Sequence, residues 1–254
     1  MIHIKKPKEI EIMHQAGKIL AETLYEVLAY AKPGVSELEL DALAEKLIRS
    51  KGAVPGFQLV PGYKHTICVA TNDVVVHGIP TDYKLKEGDV IGIDCGAYLN
   101  GFHSDMAETI YIGEKTTMPE SVKIFLQTGK QAMLNGIAAV RPGNHVGNVS
   151  QAIQLEVEKH GFSVVRSLIG HGVGKELHED PEVPGYLDVA MKKTPRLVPG
   201  MTIAVEVIYN QGKPDVMYSG VDDWTIKTAD GTLGGLFERT VVVTETGVAL
   251  LTES

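Results

Sequence analysis

Cysteine is scarce in this 254-residue chain: Cys68 and Cys95 are the only two, and they form no CxxC pair. That excludes a disulfide framework and a thiolate-built structural zinc site. Basic charge is not in excess either. Twenty-four Lys and Arg stand against 32 Asp and Glu, a formal charge of −8, which argues against direct nucleic-acid binding. No apolar run reaches a membrane span, and the amino terminus, MIHIKKPKEIEIM, lacks the apolar stretch of a signal peptide. A cytoplasmic protein with no membrane association is expected. What is present, 44% apolar and 22% charged residues, is ordinary for a chain with a large core. Low-complexity segments and linkers are absent, so residues 1–254 read as a single domain.

The order of elements repeats within the chain. Pro7 opens a helix whose buried stripe is Ile10, Met13, Ile19, Leu20, Leu24, Val27 and Leu28. Lys32-Pro33-Gly34 ends it, Ser36 with Glu39 forms a capping box, and a second helix stops at Gly52. In the second half Pro119 opens a helix that Arg141-Pro142-Gly143 ends, and the next stops at Gly161. Both Pro-Gly pairs and both terminal glycines are separated by 109 residues. LVPGMTIAVE then aligns with LKEGDVIGID at a separation of 112. The halves, about 1–115 and 116–254, predict an α+β fold, pseudo-symmetric around a central antiparallel sheet with helices on one face.

The chemistry resides in that repeat. VIGIDCGAY and HSDMAETIYIG flank an Asn-Gly turn, the strongest short hairpin signal. Each strand carries one aspartate, Asp94 and Asp105, read as facing acids. A lone aspartate in a hairpin is structural more often than not, but the second half supplies Glu206 in the place of Asp94 and Glu238 in that of Asp105. Four acids in half-buried strands need positive charge among them, so more than one divalent cation is implied. Imidazoles from context are His171 in GHGVG, His178 in LHEDP, and its first-half counterpart His77 in VHGIP. Oxygen-rich ligation with imidazole suits Mn, Fe, Co or Zn. The remaining histidines read as unremarkable, with His103 intermediate. Tyr63, Phe57 and Trp224 divide evenly between core and pocket.

The motifs ATNDVVVHGIP, GDVIGIDCGAYLNGFHSD, IGHGVGKELHEDP, PGMTIAVE and FERTVVVTETG resemble those of the type I methionine aminopeptidases, over essentially the whole chain. The resemblance implies the pita-bread (creatinase/aminopeptidase) fold and removal of N-terminal methionine from nascent polypeptides through a dinuclear-metal-activated water. It implies two divalent ions per chain: Asp94 on one, Asp105 and Glu238 bridging, His171 and Glu206 on the other. By the same resemblance Glu206 is also general base, while His77 lies beside the substrate amide and His178 on the scissile carbonyl. Tyr63, Cys68 and Trp224 would wall the methionine pocket. A monomer is expected, with peptide N-termini and the ribosome as candidate partners.

Departures from the family pattern are Arg239 where His is usual, Val207 where Pro is usual, Leu177 where an aromatic is common, and the entry loop LVPGYKHTIC. They predict an altered methionine pocket. The competing readings are an X-Pro aminopeptidase or prolidase on the same fold, whose chains carry an added amino-terminal domain, and a non-catalytic binding module that has lost its metals.

Overall fold

The computed structural model describes residues 2–253. Helices α1 (Pro7–Tyr30) and α2 (Glu37–Ser50) come first. At the start of α2 the Ser36 hydroxyl accepts the Glu39 N–H at 3.3 Å, and the Glu39 carboxylate accepts the Ser36 N–H at 2.8 Å. This reciprocal cap satisfies two donors that the first helical turn leaves free. Strands β1 (Val54–Pro55), β2 (Ile67–Thr71) and β3 (Val74–Val76) lead to the long hairpin of β4 (Val90–Leu99) and β5 (Phe102–Tyr111). Its turn residues Asn100 and Gly101 have φ of 47° and 94°, as a two-residue type I′ turn demands.

The second half opens with α3 (Glu120–Ala139) and α4 (Val146–Lys159), then short strands β6 (Ser163–Val164), β7 (Gly170–Gly172) and β8 (Glu179–Val183). Strands β9 (Thr202–Asn210), β10 (Val216–Tyr218), β11 (Ile226–Thr228), β12 (Gly234–Val243) and β13 (Val248–Leu250) complete it. The repeat read from the sequence is visible in the backbone. Gly34 and Gly143 take φ of 93° and 92°, and Gly52 and Gly161 take 84° and 80°. Matched left-handed glycines therefore end matched helices.

One antiparallel sheet runs β1-β4-β5-β12-β9-β7-β8, with β2 joined to β4, β6 to β9 and β13 to β12. The halves meet where β5 lies beside β12, with Ala107 opposite Glu238. Strand periodicity then sorts the side chains. Ile91, Ile93, Cys95 and Met106 pack with Leu20, Leu24, Leu40 and Ile48 of α1 and α2. Val205, Val207, Tyr209 and Phe237 pack with Phe125, Met133 and Ile153 of α3 and α4. Each such fully buried side chain contributes about 1.5–3 kcal/mol. Helix α3 lies so close to the sheet that only glycine fits at position 129, where a Cβ would collide with the Tyr209 ring. The helices thus cover one sheet face. Asp94, Asp105, Glu206 and Glu238 alternate onto the other.

Candidate metal centre and substrate pocket

Strand register places the acids before any side chain is considered. Cys68 pairs with Asp94, Asp94 with Ala107, Ala107 with Glu238, and Glu238 with Glu206. One row thus crosses β2, β4, β5, β12 and β9, with all its side chains on the face away from the helices. Ala107 is the smallest member, and it leaves room between Asp94 and Glu238. Asp105 lies one step along β5, opposite Gly96. The two aspartates are therefore diagonal neighbours, not the directly facing pair expected from the hairpin, because the two-residue turn sets a register that opposes 94 to 107. Across the seam the Thr240 hydroxyl accepts the Asp105 N–H at 2.9 Å and donates to the Asp105 carbonyl at 2.8 Å. That double contact fixes Asp105 against the second half.

His171 enters from β7. Its Nδ1 donates to the Gly172 carbonyl at 2.9 Å, since a carbonyl can only accept. The bond fixes the tautomer and leaves the Nε2 lone pair free for a cation. That Nε2 lies 3.9 Å from both Asp105 Oδ2 and Glu238 Oε1. These gaps are too long for hydrogen bonds and suit ligand atoms sharing an ion. Asp94 Oδ1 and Glu238 Oε1 are buried without a hydrogen-bond partner. Orphaned carboxylate oxygens beside an unprotonated imidazole nitrogen are the donor set a divalent cation takes, so the residues present fit a metal.

Desolvation first, and mutual repulsion second, push Asp94 and Glu238 well above the ordinary carboxylate range. Burial raises Asp105 to about 7, and desolvation followed by the Asp105 charge raises Glu206 to about 8. Desolvation lowers His171 to about 4, with His178 adding to the effect. Both trends describe groups poorly accommodated as they stand and well accommodated around cations.

All ten residues singled out from the sequence, namely Asp94, Asp105, His171, Glu206, Glu238, His77, His178, Tyr63, Cys68 and Trp224, line one cavity of about 150 Å³. His77 follows β3 with φ of 56°, a left-handed backbone in which non-glycine residues store strain, commonly at functional sites. The His178 ring stands edge-on to His171 at 4.4 Å. Beside the acids is an apolar wall. Tyr63 donates its hydroxyl to the Ile67 carbonyl at 2.7 Å and meets Phe57 and Trp224 edge to face at 6.4 and 5.2 Å. Burial, with the Asp94 charge behind it, raises the Cys68 thiol well above its ordinary pKa, so it presents a neutral wall.

Sequence reading passed over Val60, Val76, Leu168, Ile169 and Ile208, which also line the cavity. Ile208 was within reach, since it lies two residues beyond Glu206 on the same strand face. Val76 ends the three-residue strand β3, too short for a periodic signal, and the others come from loops. His103 packs on the Tyr98 ring at 4.7 Å and is not part of the lining.

The model of metallopeptidase family M24 matches residues 11–245. The chain belongs to metallopeptidase family M24. As a member it is a hydrolase that uses divalent metal. A Bacillus subtilis relative, methionine aminopeptidase 1, is 44% identical over 252 residues, covering 99% of each chain. The crystal structure of methionine aminopeptidase from Thermotoga maritima superposes with a TM-score of 0.95 at 38% identity over the whole of both chains. The prolidase of Pyrococcus furiosus matches with a TM-score of 0.79 at 25% identity, over 99% of this chain and 65% of that one. The fold of this M24 chain is accordingly the α+β pita-bread fold.

Where this M24 chain departs from the methionine aminopeptidase pattern, Arg239 and Val207 lie on the helix side of the sheet and Leu177 lies in the cavity wall. Arg239 binds the Glu108 carboxylate at 2.5 Å and donates to the Ala107 and Glu238 carbonyls at 2.9 and 2.7 Å.

Proposed function

We propose that this metallopeptidase removes N-terminal methionine from peptides, nascent polypeptides included, with two divalent ions drawn from Mn, Fe, Co or Zn. The observation that carries the reading is the carboxylate row meeting His171 directly beside an apolar cavity of side-chain size. Asp94 would hold one ion, Asp105 and Glu238 both, and His171 with Glu206 the other. Bound there, paired ions lower the pKa of a water and polarise a carbonyl. Glu206, ionised once cations displace its proton, would accept the proton of the attacking water. His178, at the cavity mouth, donates to the carbonyl oxygen as negative charge develops on it, and His77 lies beside the substrate amide. Tyr63, Cys68 and Trp224 receive the thioether, an apolar and polarisable group.

Leu177 in place of an aromatic changes discrimination among P1 side chains by about 1–3 kcal/mol, so methionine preference remains while its margin over leucine narrows. The likeness to a methionine aminopeptidase, 38% identical with a TM-score of 0.95 against 25% and 0.79 for a prolidase, favours this reading over an X-Pro peptidase. The deciding experiment measures kcat/KM on tripeptides beginning Met, Leu and X-Pro after reconstitution with each metal. Preference for Met supports the proposal. Preference for X-Pro, or inertness with every metal, rejects it.

A further inference from the structure

Lys5 is the only lysine buried among the described residues, at 3% exposure, and it lies far in sequence from anything it touches. Its backbone N–H donates to the Gly200 carbonyl at 2.8 Å, which lays the amino-terminal segment across the turn before β9. Its Nζ then reaches the Glu179 carboxylate at 2.6 Å, with side-chain exposures of 1% and 13%. The other Glu179 oxygen accepts the backbone N–H groups of Lys175 and Glu176 at 2.7 and 3.2 Å. Gly174 packs directly on the Lys5 stem, where any Cβ would collide with it. The Gly174 carbonyl accepts the His103 N–H at 2.7 Å.

The loop so held, residues 173–178, joins β7 to β8, and His178 is its last residue. Among the described residues nothing hydrogen-bonds the His178 ring, and its one ring contact is the edge of His171. Its position is therefore set by the loop backbone, and that backbone is set by Glu179 and Lys5. A buried ion pair contributes little net stability relative to an apolar replacement, because desolvation offsets the attraction. Placement of a catalytic group is far more sensitive, since a displacement of about 1 Å can cost roughly a hundredfold in rate.

From this we infer that Lys5 and Glu179 are positioning residues for His178, a strap through which the amino-terminal segment of the first half sets the carbonyl-binding imidazole of the second. The inference rests on the function proposed above for His178. Lys5→Met keeps the stem and removes the charge. In Mn²⁺-reconstituted enzyme it is expected to lower kcat on a Met-tripeptide tenfold or more, with KM within twofold and metal content unchanged. In a His178→Ala background the same substitution is expected to change kcat less than twofold, because the group it positions is gone. A role in folding alone would lower activity equally in both backgrounds.

Glu179→Gln tests the same pair should Lys5→Met fail to fold. In the diamagnetic Zn²⁺-loaded protein the imidazole NMR signals of His178, assigned by their loss in His178→Ala, should shift in either variant while those of His145, which precedes α4, stay. Unchanged kcat with unshifted His178 signals overturns the strap, as does a full additive loss in the His178→Ala background. A wild-type enzyme inactive on Met-peptides would defeat the proposed function instead, and the NMR shifts would still decide the strap.

Discussion

Stripping the metal should make stability fall as pH rises through neutrality, and the structure gives the size. Glu206 and Asp105 hold protons in the folded, metal-free state up to about 8 and 7, against ordinary values of 4.5 and 3.8 in the unfolded chain. The folded state thus binds more protons than the unfolded one across that interval. Its stabilisation is complete at low pH and is lost as pH rises through the folded pKa values. Each proton retained costs about 1.4 kcal/mol per pH unit. From pH 6.5 to 8 the two groups together remove about 2.4 kcal/mol, or about 5–10 °C of Tm for a chain of this size.

The interval starts at 6.5 because the depressed imidazoles of His77, His103, His171 and His178 act in the opposite direction, mostly below that value. Divalent ions displace those protons, so binding tightens with pH. An ion at a hundred times its Kd returns about 2.7 kcal/mol. Calorimetric melts of chelator-treated and Mn²⁺-loaded protein at pH 6.5, 7.25 and 8 provide the assay. The gap between the two curves should widen steadily with pH. A chelated protein whose Tm is flat or rises over this range would refute the account of the carboxylates as buried, proton-sharing acids.

His178→Ala should lower kcat by roughly 10²–10³, the usual loss of one donor to a developing oxyanion, with metal content unchanged in elemental analysis; unaltered turnover would remove its proposed contact with the carbonyl. Ala107→Leu fills the gap between Asp94 and Glu238, and overpacking costs about 1–3 kcal/mol. Its metal content should drop below that of wild type, whereas Ala107→Gly should load normally. Gly129→Ala drives a methyl group into Tyr209, so Tm should fall, by about 1–3 kcal/mol in stability, with metal content and KM untouched.

Local chemistry made much of this protein legible in the chain itself. Pro7, the Ser36–Glu39 box and the paired glycines at 34/143 and 52/161 write helix boundaries into neighbouring residues, and Asn100-Gly101 writes the hairpin. Period-two alternation then places Asp94, Asp105, Glu206 and Glu238 on one face, and the internal repeat pairs them. Register and approach through space belong to the tertiary structure. Only the β5–β12 seam aligns Asp94, Ala107, Glu238 and Glu206 into one row, and only the hairpin register makes the two aspartates diagonal. The hold of Lys5 on Glu179 spans 174 residues and leaves no spacing or periodicity to read. Turns and caps are set by energies between adjacent residues, whereas such contacts exist only once the packed sheet and helices bring distant segments together.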